Sequence, residues 1–413
     1  MAGRLPQRAV SSGTRALHRA GVYERSREFM ESVRPPMWPG LRLTPKRLLN
    51  YWSVKYQRAH GHTELLGYPL SLTFEATNVC NLRCPYCFTG AGEVGRERTM
   101  MPMELYRRLL DELGDYALQI DFYNWGEPLL NKNIYEMVRL ASDKGLSTVI
   151  STNFSVPFDR ARAEALVSSG LAALGAGIDG THQESLEQYR VGASFEKIMH
   201  NVKLLTDAKQ ALGSDTPLIC WSFHVFEHNR DEVELARSMA EELGISFEAT
   251  KGWVAGKEWG PESEFTFPAN TAPTSRRCKY LWEYAIVNND GRVAPCTASF
   301  YQEDDYGSVQ EMTFKQAWNN RNFQEARRLF RSRDASEHGK GLICHDCPYT
   351  IVWENYQRHL AQGLPKSSFD PVYTTNDWFN YFFDRRSLKR DGSGADSMID
   401  LQAVDARPSP GRG

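Results

Sequence analysis

Between residues 70 and 255, short apolar runs alternate with amphipathic stretches of helix length, and this alternation constrains the fold more than any other feature. Connections of helix length favour parallel strands joined by right-handed crossovers. The six strand–helix units predict an α/β fold with an open, partial barrel. The candidate strands cover residues 71–76, 118–124, 147–152, 172–178, 218–226 and 246–250, and the candidate helices cover residues 103–113, 132–144, 158–169, 183–209 with a break, and 229–243.

Three cysteines follow the first predicted strand at the spacing CxxxCxxC: Cys80, Cys84 and Cys87. Cysteine thiolates ligate iron–sulfur clusters, and a 4Fe–4S cube normally takes four of them. A loop that supplies only three leaves one iron open to a small molecule, so the cluster becomes a reaction centre. The alternative is a zinc knuckle, which needs a fourth Cys or His at short spacing. The nearest histidines, His60 and His62, lie well upstream.

The cysteine loop, with Tyr86 just before its last thiol, resembles that of the radical SAM superfamily. The resemblance implies a partial (β/α)6 TIM-like barrel and a 4Fe–4S cluster whose open iron chelates S-adenosylmethionine. One electron from that cluster would cleave the sulfonium and yield a 5′-deoxyadenosyl radical, which abstracts a hydrogen atom from the substrate. An electron donor such as flavodoxin or ferredoxin would reduce the cluster.

Other polar motifs fall at the carboxyl ends of the predicted strands, where parallel α/β folds bind ligands. The turn containing Gly126 and Glu127 resembles the superfamily loop that hydrogen-bonds the methionyl amino group, although Trp125 replaces the usual first glycine. At the end of the third strand, Ser151 and Asn153 could contact the ribose and carboxylate of the cofactor. The alternative for these two residues is an ordinary turn or helix cap.

The fourth and fifth predicted strands add further polar residues at the same edge. The resemblance implies that Asp179 faces the ribose and that Arg190 meets the cofactor carboxylate, to which a guanidinium is suited. The far end of the fifth strand, near Phe226, would pack near the adenine. Within that strand, Cys220 is expected to be a small core residue.

A second set of thiols lies after residue 256. Cys278 and Cys296 bracket a predicted hairpin, in which Asn-Asn-Asp-Gly at 288–291 joins strands at 285–287 and 292–294. A helix is predicted at 313–330, and a CxxC with Cys344 and Cys347 follows. Four thiols complete one cluster, or alternatively a structural zinc site.

This second set resembles the SPASM/twitch extension of radical SAM enzymes. The resemblance implies one auxiliary 4Fe–4S cluster, closed to substrate and used for electron transfer. The expected reaction is therefore oxidation or epimerisation of a small polar substrate, such as a sugar or cyclitol, at a carbinol carbon. Glu75, Asp179, His224 and Lys251 are candidates for the group that takes the hydroxyl proton. The alternatives are modification of a ribosomal peptide or protein side chain, and a two-cluster electron carrier without a substrate.

Charge and composition set the broad class. The 413 residues carry a net charge of −2, so no nucleic-acid partner is expected. Residues 1–60 hold twelve Lys/Arg against three acids, which suggests a helical extension or a weak contact with a membrane or anionic carrier. Without a secretory signal or membrane span, a cytoplasmic location is expected. The predicted domains are a basic extension (1–68), the barrel (69–255), the auxiliary domain (256–360) and a partly disordered tail (361–413).

Overall fold

A computed structural model describes residues 35–252, 277–331, 338–345, 347, 358–359 and 361–363. The expectations for the first part of the basic extension and for most of the C-terminal tail lie outside these residues. Within them, no helix is both long enough and apolar enough to cross a membrane.

One mixed sheet organises the described residues, with strand order β6-β5-β4-β3-β2-β1-β7-β8-β9. Strands β1 to β6 pair in parallel, as the sequence predicts, and the α/β partial-barrel fold class is confirmed. The strands are β1 Ser71–Phe74, β2 Gln119–Asp121, β3 Ser147–Thr152, β4 Ala173–Gly177, β5 Leu218–Val225, β6 Ser246–Lys251, β7 Tyr284–Val287, β8 Arg292–Ala294 and β9 Gly307–Ser308.

Helices follow the parallel strands and cover the outer face of the sheet. They are α1 Pro45–His60, α2 Met103–Leu113, α3 Ile134–Asp143, α4 Arg160–Ser168, α5 Gln183–Tyr189, α6 Phe195–Ala211, α7 Val233–Glu242, α8 Phe314–Trp318 and α9 Arg321–Arg331. Helix α2 illustrates the packing, because Leu105, Leu109 and Leu113 recur at helical spacing and are all buried.

The prediction of a single helix over residues 313–330 is wrong. The chain forms α8 and α9, separated by Asn319 and Asn320. The side-chain oxygen of Asn320 accepts a hydrogen bond from the backbone N–H of Phe323, 3.1 Å away. Asparagine side chains compete for backbone groups in this way and favour helix starts over helix interiors.

Polar and apolar side chains alternate along the parallel strands, so the sheet has one apolar face and one polar face. Leu72 and Phe74 of β1 are fully buried, and the Phe74 ring lies 5.7 Å from Tyr106 of α2. The opposite face, called here the lumen wall, is unusually polar, whereas typical (β/α)8 barrels fill this space with branched apolar residues. By the strand register it includes Ser71, Thr73, Gln119, Asp121, Ser151 and Ser222.

The predicted hairpin is present and extends the main sheet. Strand β7 pairs in parallel with β1, from Ser71 opposite Tyr284 to Phe74 opposite Val287, and β8 returns antiparallel. The backbone N–H of Glu75 continues this pairing by donating to the carbonyl of Val287 at 3.0 Å. The carboxyl end of β7 therefore lies at the same edge as the cysteine loop that follows β1.

Helix α1 is bound tightly to the barrel. The buried guanidinium of Arg47 donates to backbone carbonyls that include Gly114 and Gly145, just beyond α2 and α3. Such carbonyls at helix ends lack partners within the helix, and a cation suits them. Lys55 and Arg58 each pair with Glu283 at 2.8 Å, next to β7.

Candidate functional site

The first three cysteines lie together in a tightly wound loop after β1. The backbone N–H of Leu82 points to Cys80 Sγ at 3.5 Å, and that of Cys87 donates to the carbonyl of Cys84 at 3.2 Å. A Cβ on Gly90 would lie 2.5 Å from backbone atoms of Cys84, so only glycine allows this winding. Burial, reinforced by the neighbouring thiols, raises the pKa of Cys84 to about 12.

The turn after β2 packs directly against this loop. A Cβ on Gly126 would lie only 2.0 Å from the carbonyl oxygen of Thr77, so the close backbone approach requires glycine. The backbone N–H of Glu127 donates to the carbonyl of Val79 at 2.9 Å, one residue before Cys80. This turn and the cysteine loop are therefore held as one unit.

The Glu127 carboxylate joins this unit to the end of β3. It is buried and accepts hydrogen bonds from Thr152 Oγ1 and from the backbone N–H of Asn153, both at 2.7 Å. Burial raises its pKa, and these donors oppose that shift. The Asn153 amide in turn lies 3.7 Å from Cys80 Sγ, whereas Ser151 is exposed on the lumen wall.

A hydrogen-bonded triad of Asp179, Arg190 and His224 lies near the ends of β4 and β5; Asp179 is fully buried and the other two side chains are partly exposed. The Asp179 carboxylate accepts from Arg190 Nε at 2.6 Å and from the backbone N–H of His224 at 2.7 Å. Burial by itself would raise the pKa of Asp179, but Arg190 and His224 hold it well below its usual value. The backbone N–H of Arg83 in the cysteine loop donates to the carbonyl of Val191 at 2.9 Å and so ties the loop to this triad.

The sequence-predicted residues from five strand ends therefore meet at one edge of the sheet. Asp179 has no exposed surface, so within this structure it orders Arg190 and His224. Tyr86 lies beside the same group, with its ring stacked 6.3 Å from Tyr189. The individual contacts of these residues with a cofactor stay predictions.

Trp125, which departs from the superfamily motif, occupies a defined position. Its ring lies 5.2 Å from Phe88 and 5.3 Å from Phe300, and those two rings stack at 5.0 Å. Phe88 follows Cys87 directly, and Phe300 lies shortly after Cys296. The indole thus joins the first cysteine loop to the loop that carries an auxiliary thiol.

The auxiliary thiols gather at the opposite end of β7. Cys278 precedes β7 and Cys296 follows β8, so the antiparallel hairpin brings both to its open end. Burial raises the pKa of Cys296 to about 12, and Cys278 adds to the effect. Burial also raises the pKa of Tyr306 far above normal, with contributions from Cys344 and Cys296. Cys347 donates its backbone N–H to the carbonyl of Cys344 at 3.4 Å.

Both sets of thiols fit an iron–sulfur cluster by donor chemistry and position. All eight cysteines are thiols, and the seven predicted ligands fall into these two groups. Buried thiols with raised pKa values become thiolates when a metal takes the place of the proton. Within the described parts of the chain, no three His, Cys, Asp or Glu side chains converge on a single metal ion. A four-iron cube separates its ligands more widely than one ion does.

Three residues that are not predicted from the sequence line the lumen wall between the two groups of thiols. Asp121 and Tyr123 of the β2 segment and Tyr284 of β7 face one another there. Burial raises the pKa of Asp121 to about 6, although Gln119 Nε2 donates to its carboxylate at 2.6 Å. The polar–apolar alternation of residues 119–123 carried this signal, but the segment is short.

The remaining candidates are placed as follows. Glu75 is fully buried, and burial raises its pKa to about 7. The backbone N–H of Trp125 donates to one of its carboxylate oxygens, whereas the other oxygen lacks a hydrogen-bond partner among the described residues. Lys251 ends β6, where it pairs with Val225. Cys220 is half-buried beside Ser246 on the inner face of β5, so the expectation of an ordinary core position is wrong.

Two family profiles match the chain. The profile of the Radical SAM superfamily matches residues 74–235, and that of SPASM, an iron–sulfur cluster-binding domain, matches residues 278–348. The first span contains the cysteine loop and the second contains all four auxiliary thiols.

Individual relatives match over most of the same region. A PqqA peptide cyclase from Rhodopseudomonas palustris is 25% identical over 269 residues, covering 57% of this chain and 69% of the relative. An AdoMet-dependent heme synthase from Methanosarcina barkeri is 26% identical over 334 residues, covering 69% of this chain and 90% of the relative. The structure of Streptococcus suis SuiB bound to S-adenosylmethionine has a TM-score of 0.55 at 15% identity, covering 77% of this chain and 80% of SuiB. The SuiB likeness supports the fold alone.

Proposed function

Because this chain belongs to the radical SAM superfamily and carries a SPASM iron–sulfur cluster-binding domain, we propose that it abstracts a hydrogen atom from a polar substrate held against the lumen wall. Its cofactors are S-adenosylmethionine and two 4Fe–4S clusters. When bound, they supply a 5′-deoxyadenosyl radical and an acceptor for one electron. The proposed substrate class is a sugar-type or cyclitol-type alcohol, which is oxidised or epimerised at a carbinol carbon.

The proposed assignment divides the chain's residues between the two ends of the barrel. Cys80, Cys84 and Cys87 hold the first cluster, and residues 69–255 form the cofactor-binding barrel. Cys278, Cys296, Cys344 and Cys347 hold the second cluster, within residues 256–360. A flavodoxin or ferredoxin is the proposed electron donor.

The chain's own residues would orient the cofactor at the carboxyl ends of the strands. Gly126 lets the turn approach the cysteine loop, and the main chain of this turn is then available to the methionyl amino group. The Arg190 guanidinium, fixed by Asp179 at 2.6 Å, carries the charge suited to the cofactor carboxylate. Ser151 and Asn153 offer polar groups to the ribose side of the same space.

The polar lumen wall is the observation that supports a sugar-type or cyclitol-type alcohol as the substrate. Hydroxyl and carboxylate groups on β1 and β2 face the space between the two groups of thiols, and Gly175 leaves room opposite them. A pocket built to hydrogen-bond hydroxyl groups rejects apolar analogues strongly. A polyhydroxylated molecule fits this wall better than an apolar one.

Deuterium tracing tests the proposal. The anaerobically reconstituted protein is reduced with dithionite and incubated with S-adenosylmethionine and cyclitols or aminosugars deuterated at their carbinol carbons. Deuterium in 5′-deoxyadenosine, together with a carbonyl or inverted product, is the expected result. Formation of 5′-deoxyadenosine with no deuterium from any alcohol would contradict the substrate class. No 5′-deoxyadenosine at all would favour an electron carrier.

Modification of a peptide is the second candidate, because a PqqA peptide cyclase is among the sequence relatives. The basic charge of residues 1–60 would suit an acidic peptide. Fluorescence anisotropy with synthetic acidic peptides distinguishes the two candidates. Saturable binding that is lost when the basic residues of this region are neutralised supports the peptide substrate, and no binding above that of a scrambled neutral peptide argues against it.

A further inference from the structure

We propose that Asp121 is the catalytic residue that accepts the substrate's hydroxyl proton when the carbinol is oxidised. This inference rests on the proposed function and names the group that completes it. It is carried by the position of Asp121 on the lumen wall and by its neighbours.

Asp121 lies at the middle of the barrel, between the two groups of thiols. In the strand register it lies beside Thr73 of β1 and Val149 of β3. Its neighbours in sequence, Ile120 and Phe122, are fully buried on the outer face, and the Phe122 ring lies 5.9 Å from Tyr106 of α2. The Asp121 side chain therefore points inward.

The groups around Asp121 leave it able to take up a proton. Gln119 Nε2 donates to Oδ1 at 2.6 Å and fixes the orientation of the carboxylate. The titratable groups that face it are the phenols of Tyr123 on the β2 segment and Tyr284 on β7. From β1 and β3 the register places only the uncharged Thr73 and Val149 next to it. Asp121 is largely buried and retains 8% of its surface exposed.

The other candidate bases are less suited to this role. Asp179 is fully buried and its carboxylate is occupied by Arg190 and His224. The Nδ1 atom of His224 lies 3.1 Å from the same carboxylate. Glu75 has no exposed surface. Among these side chains, Asp121 is the carboxylate that lies on the lumen wall and keeps some exposed surface.

The wall that carries Asp121 also leads to the auxiliary thiols. The ring of Tyr284 lies 5.4 Å from that of Tyr280, and the Tyr280 hydroxyl lies 3.3 Å from Thr297 Oγ1, next to Cys296. Tyr280 itself follows Cys278 by two residues. A proton leaving the substrate and an electron leaving it would therefore depart on the same side of the lumen.

The proposed step balances atoms and charges. After the carbinol carbon has lost a hydrogen atom, the O–H bond breaks, its proton goes to an Asp121 carboxylate oxygen, and a C=O bond forms. The one remaining electron would pass to the oxidised iron–sulfur cluster that the auxiliary thiols would hold. The products would be a carbonyl compound, a neutral Asp121 and one electron stored on that acceptor.

Asp121→Asn tests the step, with Asp115→Asn as the matched control. Asp115 is an exposed carboxylate that pairs with Lys46 at 2.9 Å, outside the lumen. With a deuterated alcohol that the wild type oxidises, Asp121→Asn should still transfer deuterium to 5′-deoxyadenosine but lose carbonyl product by about a hundredfold or more. Asp121→Glu should restore part of that product. Equal product yields in Asp121→Asn and the wild type would overturn the proposal.

The pH profile separates a catalytic from a structural role. A base must be ionised to accept a proton, so wild-type kcat should rise with pH through the range in which Asp121 titrates and then level off. That rise should disappear in Asp121→Asn and persist in Asp115→Asn. A rise that persists unchanged in Asp121→Asn would contradict the assignment.

Infrared titration of the holoprotein gives a readout that needs no substrate. The C=O stretch of a protonated carboxyl group should appear on acidification near pH 6, and it should be missing from Asp121→Asn. If the wild type oxidises no alcohol but shows this band, the proposed function fails while the proton-accepting state of Asp121 is supported. If the band is unchanged in Asp121→Asn, the Asp121 assignment fails whatever the substrate.

Discussion

Two aspartates of the barrel, Asp179 after β4 and Asp121 at the end of β2, have opposite electrostatic environments. Asp179, at the end of the barrel where the cofactor is proposed to bind, is fully buried and paired with Arg190, and its pKa is held well below normal. Asp121, on the lumen wall, receives one side-chain hydrogen bond from Gln119, and burial raises its pKa to about 6. An aspartate side chain is therefore stabilised as an anion in one region, whereas in the other it takes up a proton more readily than usual.

The difference extends to the regions around them. At the end proposed to bind the cofactor, Asn153 donates to Glu127 and to Asn81, and Arg190 donates to Asp179, so these side chains are oriented by hydrogen bonds within the protein. On the lumen wall, polar side chains of β1, β2 and β3 face the interior of the barrel. Preorganised contacts suit a cofactor whose charged groups must be held in one orientation, whereas a polar interior surface suits a substrate with several hydroxyl groups.

The largest effect is expected from Cys84→Ala, which removes a buried thiol from the first loop. Formation of 5′-deoxyadenosine should fall to background, because a cube held by two thiols is lost or rearranged. Cys220→Ala is the matched control, since Cys220 lies on β5 outside both groups of thiols. Iron and sulfide analysis should show a loss in the first variant and none in the second. Full activity in Cys84→Ala would contradict the ligand assignment.

Two glycine-to-alanine substitutions, one in each region, should have different effects on the affinity for S-adenosylmethionine. In Gly126→Ala the new Cβ meets the Thr77 carbonyl at 2.0 Å, so the cofactor turn must move. We expect the affinity for S-adenosylmethionine to fall by about tenfold or more, roughly 1.4 kcal/mol. Isothermal titration calorimetry on the reconstituted protein measures this loss.

Gly175→Ala is the counterpart on the lumen wall. Its new Cβ would meet only Ser151 Oγ, at 4.0 Å, so the backbone need not move. The cofactor affinity should stay within about twofold of wild type, while KM for a bulky alcohol rises because the lumen narrows. An equal loss of cofactor affinity in both glycine variants would show that the two regions are not separable.

Replacing each aspartate by asparagine should change the free energy of unfolding in opposite directions. Asp179→Asn leaves the largely buried guanidinium of Arg190, 16% exposed, without its counter-charge and should lower the free energy of unfolding by about 3 kcal/mol. Asp121→Asn removes a buried charge and should raise it at about pH 7, by up to about 3 kcal/mol. Differential scanning fluorimetry of the holoproteins gives the direction of each change. Destabilisation in both variants would contradict the contrast.

The pH dependence of stability follows from the same shifts. The folded-state pKa of Asp121 is raised, so the folded protein binds this proton more tightly than the unfolded chain does. Its contribution therefore favours folding at acidic pH and is lost as pH rises from about 4 to about 6. In Asp121→Asn the apparent Tm should change less over this range than in the wild type. An unchanged slope would mean that the ionised Asp121 is not penalised by burial.

The sequence was informative where chemistry and spacing are local. The cysteine spacing, the strand–helix alternation and the Asp-Gly hairpin all follow from neighbouring residues, and each is present in the structure. The pairing of β7 with β1 joins Ser71 to Tyr284 and could not be read from either segment. Asp121 was missed because its inward direction follows from the pairing of β2 with β1 and β3 and from the burial of Ile120 and Phe122. Gly126 could be placed by its motif, but its contact with Thr77 could not.

The central claim is that three thiols hold a cluster whose fourth iron is open to S-adenosylmethionine. It is tested most directly by electron paramagnetic resonance on a Cys278→Ala/Cys296→Ala double variant, in which the first cluster alone should give the reduced signal. Adding S-adenosylmethionine to the dithionite-reduced variant should shift the g-values, because the cofactor binds the open iron. A spectrum that is identical with and without the cofactor would contradict the account.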